Sequence, residues 1–187
     1  MPLTVCKIVP ALGSKKVSGC EKREAYAFWP SLLSLPSTIT TSPEKNLKFA
    51  ILGAGALGSA IGGVLTEAGH TVWLITRNQA HVDAINQRGL TLRTEGLDRT
   101  IKALAATSAI AAGVVDCVIV LVKSAQTRQA MTAAMSLLGP ETVVLSLQNG
   151  LGHEDILTGI VGKQRVLAGK CYCGGQIIAP GHVICGT

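Results

Sequence analysis

Aromatic side chains make up only 3% of this 187-residue chain, two each of Phe, Tyr and Trp. Proteins that read single-stranded nucleic acid stack bases on such rings, so a platform of that kind is excluded. No stretch approaches the roughly 18 uninterrupted apolar residues of a membrane-spanning helix, and no membrane partner is expected. Acidic residues are also few, 11 against 17 Lys and Arg, but the resulting charge of +6 is unevenly placed. Residues 1–48 hold seven Lys/Arg and three Glu, net +4, which leaves +2 for everything after them. The later part is nearly neutral and has no basic stripe, so no nucleic-acid partner is expected either. There is no secretory signal, and the six cysteines therefore read as reduced thiols in a cytoplasmic setting. Cys171, Cys173, His182 and Cys185 are nominally four zinc ligands, but their spacing matches none of the common C-x₂-C patterns. Cys171 and Cys173 alternate like residues on one face of a strand, and no metal is expected.

What is present is apolar material, 48% of the chain, enough for one proper core. Residues 1–46 stand apart from it, with Ser/Thr/Pro clusters such as "SLLSLPSTITTSPEKN" and no sustained periodicity. They read as a disordered or extraneous extension. A transit peptide is one reading of their Lys/Arg and hydroxyl content, against which Glu21, Glu24 and Glu44 count. An upstream stretch included by a misplaced start is another.

From Leu47 the pattern changes. Phe49 to Leu52 is a short apolar run that stops at Gly53-Ala54-Gly55-Ala56-Leu57-Gly58, after which small and aliphatic residues recur at helical spacing as far as Glu67. Strand, tight turn and helix in that order form a dinucleotide-binding unit. Gly53 permits the bend, Gly55 lets a pyrophosphate approach the backbone, and Gly58 lets the helix pack close to the strand. The helix N-terminus then directs its free N–H groups at the phosphates. Glu67-Ala68-Gly69-His70 ends the helix with glycine as its cap, and Thr71 to Thr76 is the second strand. Versions that bind NAD carry an Asp or Glu about 20 residues beyond the glycines. Here Thr76-Arg77-Asn78 occupies that place, with no carboxylate. A guanidinium pairs with a 2′-phosphate, which favours NADPH/NADP; the alternative is a solvated loop arginine.

Further along, Gln79 to Arg88 reads as a helix stopped by Gly89. Leu90–Arg93 and Thr100–Ala105 read as strands paired around Glu95-Gly96. "VVDCVIVLVK", Val114 to Lys123, is a strand buried on both faces. Ala130 to Leu138 reads as a helix closed by Gly139-Pro140, and Thr142 to Leu147 as the next buried strand. A helix to about Ile160 follows, then strands at Val166–Ala168, Gln176–Ala179 and His182–Cys185. Alternation of this kind predicts an α/β fold over residues 47–187, a Rossmann-type, doubly wound, mainly parallel sheet with helices on both faces.

Ligands of such sheets lie beyond the carboxyl ends of the strands. Lys123 terminates the strongest strand, Asn149 follows the next, and Gln126 and Thr127 start the helix between them. An amine there can hold phosphate or carboxylate oxygens, and an amide can both donate and accept. The alternatives are a snorkelled surface lysine and a turn asparagine before glycine.

Four stretches in order, "ILGAGALGSAIGGVLTEAGHTVWLITR", "VIVLVKSAQT", "VVLSLQNGLG" and "VLAGKCYCGGQIIAPGHVICG", resemble ketopantoate reductases (2-dehydropantoate 2-reductases) across Leu47 to Thr187. The resemblance implies NADPH-dependent reduction of a 2-oxo acid, 2-dehydropantoate, to pantoate on the way to pantothenate. It implies that Lys123 and Asn149 position substrate and nicotinamide, that Arg77 holds the nucleotide phosphate, and that Gly175 adds a cofactor contact. It also implies a general-acid lysine in a helical C-terminal domain, beyond the last residue given. Lys163 and Lys170 do not stand in the matching context. Turnover by this chain alone is therefore expected to be poor, and the sheet face near Ile177 to Ile184 is expected to favour self-association. Two other readings remain: another NADP-dependent 2-hydroxy-acid or sugar-acid dehydrogenase, and a non-catalytic or truncated nucleotide-binding module.

Overall fold

The computed structural model of the chain describes residues 46–186; the extension expected over 1–46 lies outside them but for Asn46. Its elements run β1 (Lys48–Leu52), α1 (Ala56–Glu67), β2 (Thr71–Ile75), α2 (Gln79–Arg88), β3 (Leu90–Thr94), β4 (Leu97–Ile101) and β5 (Leu104–Ala106). They continue as β6 (Val115–Val120), α3 (Thr127–Ala133), β7 (Leu138–Ser146), α4 (His153–Val161), β8 (Val166–Ala168), β9 (Gly175–Ala179) and β10 (His182–Cys185). Six strands form a wholly parallel sheet in the order β5-β2-β1-β6-β7-β8. The chain winds outward from β1 to one side, then returns to wind outward from β6. That reversal leaves a crevice above the carboxyl ends of β1 and β6.

Alternation along the central strands divides the core. Ala50, Leu52, Val118 and Val120 face Met131 of α3 and Leu157 of α4, whereas Ile51 and Ile119 face Ala60 of α1 and Ile85 of α2. Helices therefore cover both faces, as the sequence predicts, and strands buried on both faces read as continuous apolar runs.

A second, four-stranded sheet, β4-β3-β10-β9, accounts for the strands that do not fit the first. Helix α1 lies between the two. A Cβ at Gly62 would run into the Leu74 side chain of the parallel sheet, and one at Gly63 would lie 3.1 Å from Leu90 and Ile101 of the second. The small residues of "GSAIGG" thus let one helix be gripped from two sides. The helix ends with Ala68 as its cap and Gly69 just beyond, at φ +89°, whose N–H donates to Thr66 O while that of His70 donates to Leu65 O.

Three expectations are corrected. Thr100–Ala105 is not one strand: β4 pairs with β3 through a two-residue turn, Glu95 and Gly96 at φ +54° and +80°, and β5 leaves to pair with β2. Buried Ala103 separates them, so the chain changes sheet within two residues. The helix expected over Ala130–Leu138 begins at Thr127 and ends at Ala133, and Gly139-Pro140 falls inside β7. Pro140 is tolerated because the β6–β7 register shifts between Val115 and Cys117, where no ladder donor is needed. Regular strand β6 stops at Val120, so Lys123 stands past its end, before a 3-10 turn at Ser124–Gln126.

One buried polar residue ties the layers together. His81 of α2 is fully buried, and its Nδ1 accepts the Gly181 N–H from the β9–β10 turn at 2.9 Å. A backbone N–H only donates, so the imidazole proton sits on Nε2 and is given to Ser59 Oγ, 3.0 Å away on α1. Ser59 Oγ in turn donates to Ala54 O at 3.4 Å. Burial lowers the His81 pKa below its ordinary 6.5. The unfolded chain then binds the proton more readily, so this contribution to stability is complete above pH 6.5 and is lost as pH falls below it. Urea midpoints should drop between about pH 7.5 and 5.5, and His81→Asn should show a smaller drop. An equal pH dependence in the variant would remove His81 as the cause.

Candidate functional site

The turn after β1 is built by backbone contacts that a side chain would prevent. Gly53, at φ +101°, and Ala54 both donate their N–H to Ile75 O, at 3.0 and 2.9 Å. A Cβ at Gly53 would lie 2.6 Å from Val122 N, and one at Gly58 would lie 2.5 Å from Gly53 O. At Gly55, by contrast, a Cβ would meet no atom within 4 Å. Gly55 is also the N-cap of α1 and supplies no side-chain acceptor, so the first turn at Ala56, Leu57 and Gly58 keeps its donors for something else.

A cavity of about 910 Å³ opens over this turn. Gly53, Gly55, Arg77, Lys123 and Gln126, all noted from sequence, line it together. Among the described residues, the charged ones that line it are the two cations, and no carboxylate does. Ala130, Ala133 and Ala134 of the α3 segment form a low apolar wall. Thr107 and Ser108, which the sequence reading did not single out, line it as well. They follow β5, and placing that strand in the parallel sheet is the signal that would have found them.

Other expected residues lie elsewhere. Ala54 is buried beneath the turn, and Asn149 is exposed beyond β7 and does not line the cavity. Gly175 opens β9, where a Cβ would sit 3.5 Å from Ala56 at the start of α1. Cys171 and Cys173 lie between β8 and β9, whereas His182 approaches Asp98 Oδ1 at 3.3 Å. Among the described residues no group of three or more His, Cys, Asp or Glu is placed to hold a metal.

The loops bearing Lys123 and Asn149 are joined by a buried amide. Gln148 Nε2 donates to Val122 O at 2.7 Å and to Thr127 Oγ1 at 2.8 Å, and its Oε1 accepts from Ser146 Oγ at 3.2 Å. Thr127 Oγ1 passes its own proton to Ser124 O. Beside them the His153 Nε2–H reaches Asn149 O at 2.9 Å, with Ser124 Oγ 3.4 Å away. The buried part of each motif thus holds the two loops together, and Lys123 and Asn149 beside it are exposed.

Residues 49–186 match the model of the family described as ketopantoate reductase PanE/ApbA. A 2-dehydropantoate 2-reductase of Pyrococcus horikoshii is 39% identical over 137 residues, 73% of this chain and 44% of that protein. One from Aquifex aeolicus is 33% identical over 138 residues, 73% of this chain and 43% of that protein. Among solved structures, a PanE/ApbA-family ketopantoate reductase from Ralstonia eutropha aligns with a TM-score of 0.70 at 40% identity, covering 74% of this chain and 46% of that one. A ternary structure of D-mandelate dehydrogenase with NADH and anilino(oxo)acetate aligns with a TM-score of 0.71 at 32% identity, covering 75% and 46%. The chain spans less than half the length of these relatives.

Replacing the Gln148 amide tests the clamp. Gln148→Leu leaves Val122 O and Thr127 Oγ1 without their donor, and a buried unpaired group costs about 1–3 kcal/mol. Urea unfolding should show a loss of about 2 kcal/mol or more. A variant as stable as the parent would mean that the two loops hold their positions without it.

Proposed function

Because this chain belongs to the ketopantoate reductase PanE/ApbA family, we propose that it binds NADPH and serves the reduction of 2-dehydropantoate to pantoate, a step of pantothenate biosynthesis. The observation that carries this reading is the crevice over the β1–α1 turn, lined by Arg77 and Lys123 and by no acid among the described residues, beside a glycine that leaves open space. In this proposal the pyrophosphate lies over Gly53 to Gly58, where Gly55 admits it and the first N–H groups of α1 donate to it. Arg77 pairs with the 2′-phosphate and excludes a need for a carboxylate at that strand end. The cofactor supplies a hydride to the carbonyl carbon of the 2-oxo acid.

Lys123 and Asn149 then act from two loops that Gln148 and His153 hold together. The lysine offers three donors and a positive charge to carboxylate or ribose oxygens, and the asparagine amide donates to a carbonyl and accepts from a hydroxyl. Gly175 completes the wall near Ala56. The family's general-acid lysine falls outside the matched residues, so the proton of the product hydroxyl is assigned to no residue described here. The D-mandelate dehydrogenase alignment favours a second reading, a 2-hydroxy-acid dehydrogenase with a different 2-oxo acid.

A cytoplasmic setting belongs to the proposal; among the described residues no helix is long and apolar enough to cross a membrane. So does self-association through β9, an edge strand on which Ile177 and Ile178 are 37% and 41% exposed.

Cofactor choice gives the direct test. A charge-assisted hydrogen bond contributes about 1.5–3 kcal/mol, so Arg77→Ala should raise the Kd for NADPH by about tenfold to a hundredfold. NADH binding should be nearly unchanged. Calorimetric titration with both nucleotides checks it, and equal losses, or a parent chain that prefers NADH, would overturn the NADPH assignment.

A further inference from the structure

The cysteines that suggest zinc by composition suggest different chemistry by position. Cys171 and Cys173 bring their sulfurs to 2.8 Å. Unbonded sulfurs in simple contact stand farther apart, and a disulfide needs only that the pair close to about 2.05 Å. Their segment, residues 169–174, has no helix or strand and is held at both ends. Gly169 N–H donates to Ser146 O at 2.8 Å, and the Gly186 N–H reaches Gly174 O at 3.4 Å, just before Gly175 pairs with Cys185. It is a strap running from the parallel sheet to the second one. Both thiols are half-buried, and Tyr172 between them is 68% exposed, so a small solute reaches them from solvent.

Lys170 adjoins the pair and holds its Nζ 4.8 Å from the centre of the Tyr172 ring. A third thiol, Cys117, lies on β6. Burial, reinforced by the neighbouring charge of Asp116, pushes its thiol up to about 11, which keeps it protonated and unreactive.

We propose that Cys171 and Cys173 are a peroxide-oxidisable dithiol that closes to an intrachain disulfide in the strap between the two sheets. One thiolate attacks a hydroperoxide oxygen, the O–O bond breaks, and the leaving oxygen takes a proton to depart as water or an alcohol. The resulting sulfenic acid is attacked by the second sulfur, which forms the S–S bond and releases water. Two electrons pass from the dithiol to the peroxide, and no further reactant is required. The reaction does not depend on the nucleotide reading of the cavity.

The test is mass spectrometry on the full chain. In Cys185→Ser the tryptic fragment after Lys170 holds only these two cysteines. After hydrogen peroxide and then iodoacetamide, that fragment should be unalkylated and lighter by two hydrogens. Dithiothreitol should restore two alkylation sites, and Cys117 should stay reduced throughout. In Cys171→Ser, Cys173 should instead be trapped by dimedone. Should Cys185→Ser not fold, tandem fragmentation of the parent fragment separates Cys185 from the pair. Two alkylated cysteines after peroxide, a bridge to Cys185 or to another chain, or accumulation of sulfinic acid would each overturn the proposal.

Discussion

At Gly53 and Val122 two backbones approach so closely that a β-carbon on the first would lie 2.6 Å from the nitrogen of the second. Everything around the crevice depends on that contact. It lets the turn after β1 lie against the chain leaving β6, so that the glycine turn and the Lys123 loop share one space. The same turn carries the oxygen of Gly53 under Gly58, which seats α1 against β1. Three backbone segments meet where no side chain fits, and the cavity is the room left above them. An alternative in which position 53 bore a side chain would separate β1 from the β6 extension and move Lys123 away from the turn.

Around this contact, polar side chains are spent on holding backbone rather than on facing the cavity. Ser59 and His81 fix the carbonyl of Ala54 from below, and Gln148 fixes that of Val122 from the side. Each is buried and each has partners with good geometry, which is the condition under which a buried polar group specifies one arrangement rather than destabilising it. Lys123 and Asn149, both exposed, directly follow residues fixed in this way, Val122 and Gln148.

Local features were legible from sequence and long-range ones were not. The glycine turn, α2 between Asn78 and Gly89, and the turn at Glu95-Gly96 depend on neighbouring residues, and the chain text contains them. Strands β1 and β6 were legible because burial on both faces leaves no polar alternation. The division into two sheets was hidden, because Thr100–Ala105 has the same β character on both sides of Ala103, and only the partners of each half differ. Gly139-Pro140 read as a helix stop because a register shift in a neighbouring strand leaves no mark on the sequence. Nothing in the helical pattern from Gln79 to Arg88 marked His81 for burial. The donor to its Nδ1, the Gly181 N–H, is a hundred residues away. Lys123 and Asn149 were found by their place after strands, but that rule did not show that only the first would line the cavity.

The second sheet imposes an order on synthesis. Strands β3 and β4 form a hairpin as soon as both have emerged, since their turn closes over two residues. The apolar side of that hairpin, Leu90, Leu92 and Ile101, shares its core with Val183, which arrives with β10. Thr91 and His182 are partners about 90 residues apart, and closing a loop of that length carries an entropic cost that local pairs do not. The hairpin is therefore complete about 80 residues before β10 follows, from Ile101 to His182. Until β10 arrives, β3 lacks its second neighbour in the sheet, and α1 is the element already at hand to pack on the hairpin's apolar side.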